Sequence, residues 1–149
     1  MALLDIQNLN VTYQTPTGDV LACDGVNLSI EAQSSIGIVG ESGSGKSTMA
    51  MAVLRLLPKK TAHVEGKVLL DGVDLLSLSQ KELNALRWKE IAVVFQKAMN
   101  SLSPVHKIGR QMSDIYRIHE PNASDEEVRA RIFELLDVVN LSDRVYNLY

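Results

Sequence analysis

Apolar residues near the start of the chain recur at roughly every second position. Leu4, Ile6, Leu9, Val11 and Tyr13 are separated by polar residues, and Val26, Leu28 and Ile30 alternate with Asn27 and Ser29. That period predicts strands with one face in a core and one toward water, as in an antiparallel sheet. Pro16-Thr17-Gly18-Asp19 supplies turn residues between the two runs. Two later runs do not alternate. Ile36-Gly37-Ile38-Val39 and Ile91-Ala92-Val93-Val94-Phe95 are short and continuously apolar, which predicts strands buried on both faces. Between them, Thr48 to Leu57 is helix-compatible and stops at Pro58. Val64 to Leu70 and Val73 read as strand, broken by a turn at Asp71-Gly72. Ser79 with Glu82 is a capping box that opens a helix toward Trp88. From Ile108 the chain reads as helical. A second capping box, Ser124 with Glu127, precedes Val128, Ile132, Leu135, Leu136 and Val139, which share one helical face and predict a core stripe.

Composition narrows what these elements can do. A chain of 149 residues suffices for one domain. A net charge of −3 without a dominant basic stripe argues against nucleic acid as a partner. Cys23 is the single cysteine, so no internal disulfide is possible, and its expected role is a small buried or half-buried hydrophobe. His63, His106 and His119 are scattered and are expected at the surface. Asp125-Glu126-Glu127 suits a helix N-terminus better than catalysis. The chain opens without a basic region followed by an apolar stretch, and no apolar run approaches the ~20 residues that span a bilayer. A cytoplasmic location is therefore expected, with any membrane association made by docking onto another protein.

The chemistry is carried by Gly40-Glu41-Ser42-Gly43-Ser44-Gly45-Lys46-Ser47, which matches G-x-x-x-x-G-K-[ST] at every fixed position. It lies between an apolar run and a helical one, as a phosphate-binding P-loop requires. Glycines let the backbone approach a triphosphate, several N–H groups then point inward, and the following helix adds its N-terminal dipole. Lys46 is expected to reach the β- and γ-phosphates, and the Ser47 hydroxyl to coordinate Mg²⁺, a cation that prefers oxygen ligands. Glu41, Ser42 and Ser44 occupy the variable positions. They join Gly40, Gly43, Gly45, Lys46, Ser47 and Thr48 in the expected binding loop, although spacing alone gives their side chains no role. The expected ligand is ATP.

In order along the chain, Tyr13, this loop and Gln96 resemble the N-terminal part of an ABC transporter nucleotide-binding subunit. The resemblance implies that Tyr13 stacks on adenine, and that Gln96 is the Q-loop glutamine, contacting Mg²⁺ and the attacking water. Met99-Asn100-Ser101-Leu102-Ser103-Pro104 is similar to the segment that follows the Q-loop in the dipeptide, oligopeptide and nickel importer subgroup. Lys97-Ala98 departs from that subgroup's acidic residue and proline, and Ala32-Gln33-Ser34 replaces the family's usual Gly-Glu turn before the P-loop. The implied fold class is α/β: a partial P-loop NTPase core with an N-terminal antiparallel β subdomain within residues 1–107, and the start of a helical subdomain in 108–149. The implied partners are transmembrane permease subunits and a second nucleotide-binding domain, in a homo- or heterodimer at the cytoplasmic face of the membrane. The family's signature loop, its Walker B strand and its switch histidine do not occur in these residues. The chain is therefore expected to end just before the signature loop and not to hydrolyse ATP alone. Alternatives are a truncated remnant or half of a split ATPase subunit. A small kinase or GTPase is disfavoured, because there is no N-K-x-D guanine motif.

Overall fold

The computed structural model describes residues 2–95 and 102–149. Gln96 and the stretch 97–101 lie outside the described residues, and with them the Q-loop assignment and most of the segment that follows it. The described residues form two compact units, one up to Leu83 and one from Asn84.

The first unit is an antiparallel sheet with a short helix. The alternating runs become β1 (Ala2–Thr15) and β2 (Gly18–Glu31), joined at the Pro16-Thr17 turn, where the Thr15 hydroxyl donates to the Gly18 carbonyl at 2.6 Å. After the helix α1 (Lys46–Val53) come β3 (Ala62–Leu70) and the two-residue β4 (Val73–Asp74). The strand order is β2-β1-β3-β4, so β1 is central and β2 is an edge. Ile6, Leu9, Val11, Val68, Leu75 and Leu83 are fully or almost fully buried and form the core with Cys23, Met49 and Ala52. The sheet is not regular. Asn8, at φ 48°, is an extra residue in β1 opposite both neighbouring strands. Gly66 of β3 fits beside it only because it lacks a side chain: a Cβ there would stand 2.4 Å from the Asn8 carbonyl oxygen. Bulges of this kind bend and twist a long strand locally.

Three expectations need correction. Ile36–Val39 is not a strand; Ile38 is 48% exposed and Val39 93%. Ile91–Phe95 makes only one bridge, between Arg87 and Ile91, and Val94 is 95% exposed. Both runs are apolar enough for buried parallel strands. Among the described residues, however, neither has a strand beside it to complete a ladder, and a lone strand satisfies none of its backbone groups. The third correction is the end of α1 at Val53 instead of Leu57. Arg55 takes a left-handed conformation, φ 51°, and its guanidinium donates to the carbonyls of Leu75 at 3.0 Å and Leu78 at 2.6 Å. This stitch turns the chain before Pro58 is reached.

The capping boxes form as read. α2 (Gln80–Leu86) opens with the Ser79 N–H donating to Glu82 at 2.8 Å. In the second unit, α3 (Ile108–His119) precedes α4 (Asp125–Val138), whose N-cap Ser124 and Glu127 bond reciprocally. Val128, Ile132 and Leu136 of α4 are buried with Met112, Tyr116, Phe133, Val145 and Tyr146 around them. The stripe is narrower than expected: Leu135 is 39% exposed and Val139 59%. A 3₁₀ helix, Asp143–Asn147, brings Tyr146 over α3 and edge-to-face against Phe133, with ring centroids 5.5 Å apart. Gly109 of α3 admits that ring; a Cβ there would stand 2.4 Å from Tyr146 Cδ2.

Candidate functional site: the nucleotide loop

The loop between Val39 and α1 is built by its glycines. Gly43 at φ 84° and Gly45 at φ 86° lie in the left-handed region that side chains disfavour. Ser42-Gly43 forms the turn, and the Ser44 N–H donates to the Glu41 carbonyl at 3.3 Å. Gly45 is the N-cap of α1 and offers no side-chain cap, while its carbonyl receives the first helical bond, from the Met49 N–H at 2.8 Å. The first N–H groups of the helix therefore have no partner within it and face the loop as donors. No acidic residue stands in that first turn to compete with an anion.

Lys46 folds back into the loop. Its ammonium donates to the Gly40 carbonyl at 2.8 Å, to Ser44 Oγ at 2.9 Å and to the Glu41 carbonyl. The loop thus holds a cation at its centre, and Ser42 to Thr48 line the hollow around it together with Ala22 of β2. Ser47 is exposed in the first turn of α1, and Thr48 beside it is half-buried. An ammonium, free helical N–H groups and an adjacent hydroxyl form a donor set for a phosphate chain with a hard cation. Among the described residues no cluster of three or more His, Cys, Asp or Glu could cage a metal. Of the expected Mg²⁺ contacts, Ser47 is the one among the described residues.

Tyr13 is half-buried on β1, opposite Val20 of β2 and Ala62 of β3. It stands two residues beyond Val11, whose partner Cys23 touches the loop: Cys23 Sγ lies 3.8 Å from the Gly45 carbonyl oxygen. Tyr13 thus lies on the same strand pair as Ala22 and Cys23, the β2 residues next to the loop. Gln96 is not among the described residues; Tyr13 is, and it is not among the residues that line the hollow at the loop. The sequence motif marks neither Ala22 nor Cys23 as a neighbour of the loop. Cys23 is buried as expected, and burial pushes its thiol pKa up.

The model of the family described as ABC transporter matches residues 23–148. The chain belongs to this ABC transporter family. Its relatives there include the oligopeptide transport ATP-binding protein OppD of Bacillus subtilis (strain 168), 39% identical over 93% of this chain and 39% of that protein. The Escherichia coli (strain K12) protein named "Probable D,D-dipeptide transport ATP-binding protein DdpD" is 41% identical over 96% of this chain and 44% of its own length. The chain thus spans less than half of each of these two relatives. Among solved structures it is similar to the dimeric bacterial ABC transporter cassette MJ0796, with TM-score 0.78 and 30% identity over 97% of this chain and 60% of that one. A second structure of MJ0796, in a post-hydrolysis state bound to ADP and Pi, gives TM-score 0.75 at 27% identity. The solved neighbours are ABC transporter cassettes, and this chain shares their α/β fold. Membership also sets aside the small-kinase and GTPase alternative.

Proposed function

We propose that this chain is the nucleotide-binding part of an ATPase subunit that powers peptide import. The observation that carries the reading is the P-loop itself: Lys46 at the centre of a glycine-built loop that opens into the N-terminus of α1. The names of the relatives support peptides as the cargo. In this reading the loop from Gly40 to Thr48 wraps the phosphates and Lys46 neutralises the β- and γ-phosphates. Ser47 and Gln96 hold Mg²⁺, Gln96 also places the attacking water, and Tyr13 stacks on the adenine. Phosphoryl transfer depends mainly on positioning and charge stabilisation, which suits a site made of donors and cations. A second nucleotide-binding domain completes the site, and transmembrane permease subunits receive the force at the cytoplasmic face. No helix among the described residues is long and apolar enough to cross a membrane, which suits a peripheral subunit. Residues 108–149 open the helical subdomain. The 149 residues by themselves turn over no ATP, because the signature loop and Walker B strand are not in them.

The test uses the native protein that carries this sequence, together with its permease. Peptide uptake and ATP hydrolysis should both fall to background in Lys46→Ala, a loss of roughly 100-fold or more for removing a cation from charge stabilisation. Uptake that persists in Lys46→Ala, or hydrolysis by the 149 residues alone, would overturn the reading. Stimulation by nickel instead of peptides would reassign the cargo.

A further inference from the structure

We propose that the β-bulge at Ala22 positions the nucleotide loop, with Ala22 and Cys23 as positioning residues. The inference rests on the ATP-binding reading above and adds what sets the loop's place. Val11 pairs with Cys23 and Thr12 with Leu21, so β2 advances two residues while β1 advances one. Ala22 is the extra residue. Bulges re-aim the chain and gather beside functional sites, and this one faces the loop from two directions.

First, the Ala22 carbonyl oxygen lies 2.4 Å from the place a Cβ on Gly45 would take, and Cys23 Sγ lies 3.5 Å from the same point. Gly45 is thus required twice over, by its φ of 86° and by the close approach of β2. Second, Ala22, a small residue, lines the hollow formed by Ser42 to Thr48. Cys23 completes the arrangement. Its thiol donates weakly to the Gly45 carbonyl, the same oxygen that receives the first hydrogen bond of α1 from Met49. On its other side Cys23 is fixed by its pairing with Val11, a fully buried core residue. The path from core to site is therefore short: Val11, Cys23, Gly45, then Lys46 and Ser47.

Deleting Ala22 isolates the bulge. The pairs Val11–Cys23 and Thr12–Leu21 become consecutive and every other pairing of the hairpin is kept. Ala22→Leu does the converse, keeping the bulge while filling the hollow. In the native protein, both variants should bind MgATP about tenfold more weakly or worse, the size of losing one hydrogen bond to a charged group. Their thermal midpoints without nucleotide should stay within about 4 °C of wild type. Cys23→Ala should weaken MgATP binding by about threefold, with Cys23→Ser restoring it, since a thiol is only a weak donor. Should the deletion fail to fold, Ala22→Leu decides. A merely structural role would lower the midpoint and leave the affinity of the folded protein unchanged; that result, or wild-type affinity in a folded Ala22→Leu, overturns the inference. If the wild-type protein itself binds no MgATP, the functional reading falls first and this inference with it.

Discussion

Lys46 is held in place by the oxygens around it. Two backbone carbonyls and one hydroxyl hold its ammonium inside the loop, where the proposed function needs a cation already in place. This much was legible in the sequence, because the motif's spacing is dictated by the geometry of wrapping a phosphate. The caps were legible for the same reason: a serine three residues before a glutamate satisfies two orphan donors at once. They also carry a pH signature. Glu127 is held below the ordinary glutamate range by the Ser124 backbone and then its hydroxyl, and Glu82 by the Ser79 hydroxyl and then its backbone. A carboxylate whose folded pKa is lowered stabilises the fold at pH above its unfolded value, about 4.3, and loses that contribution as pH falls through the lowered value. Thermal unfolding followed from pH 7 to pH 3 should show this loss, and Glu127→Gln should flatten it. An unchanged acid limb in that variant would show that the cap is silent. Ala22 was not legible, since a bulge exists only as a mismatch between two strands once they are paired.

At the scale of elements, the structure separates helices that close their own hydrogen bonds from strands that borrow them. β1 and β2 are consecutive, so their turn brings each its partner; β1 covers its alternating run, while β2 begins at Gly18, within the expected turn and well before the run at residues 26–30. Ile36–Val39 and Ile91–Phe95 have the right composition but no neighbour among the described residues, and composition cannot supply one. The narrower stripe of α4 has a different cause. Periodicity names the face, but the width that is covered depends on what packs against it, here α3 and the 3₁₀ helix. Ile132, 1% exposed, and Leu135, 39% exposed, sit three residues apart and should respond differently to truncation. Ile132→Ala should cost about 2–4 kcal/mol and Leu135→Ala less than about 1 kcal/mol. Gly109→Ala should cost about 2 kcal/mol through the Tyr146 ring it would displace. Hydrogen exchange in α3 and α4 measures all three; equal effects at 132 and 135 would contradict the packing described.

At the scale of the whole molecule, the chain is a member of the ABC transporter family with the fold of its cassettes, and ATP binding at the P-loop is the property we propose for it. Gln33 and Trp88, one in each unit, are also at positive φ, so local backbone strain is not confined to the loop glycines. The most direct test is calorimetric titration of the folded wild-type protein and Lys46→Ala with MgATP. The account predicts saturable 1:1 binding to the wild type, no measurable binding to Lys46→Ala, and the same unfolding midpoint for both without nucleotide. Equal affinity in the two proteins, or a wild type that stays folded and does not bind, would contradict it.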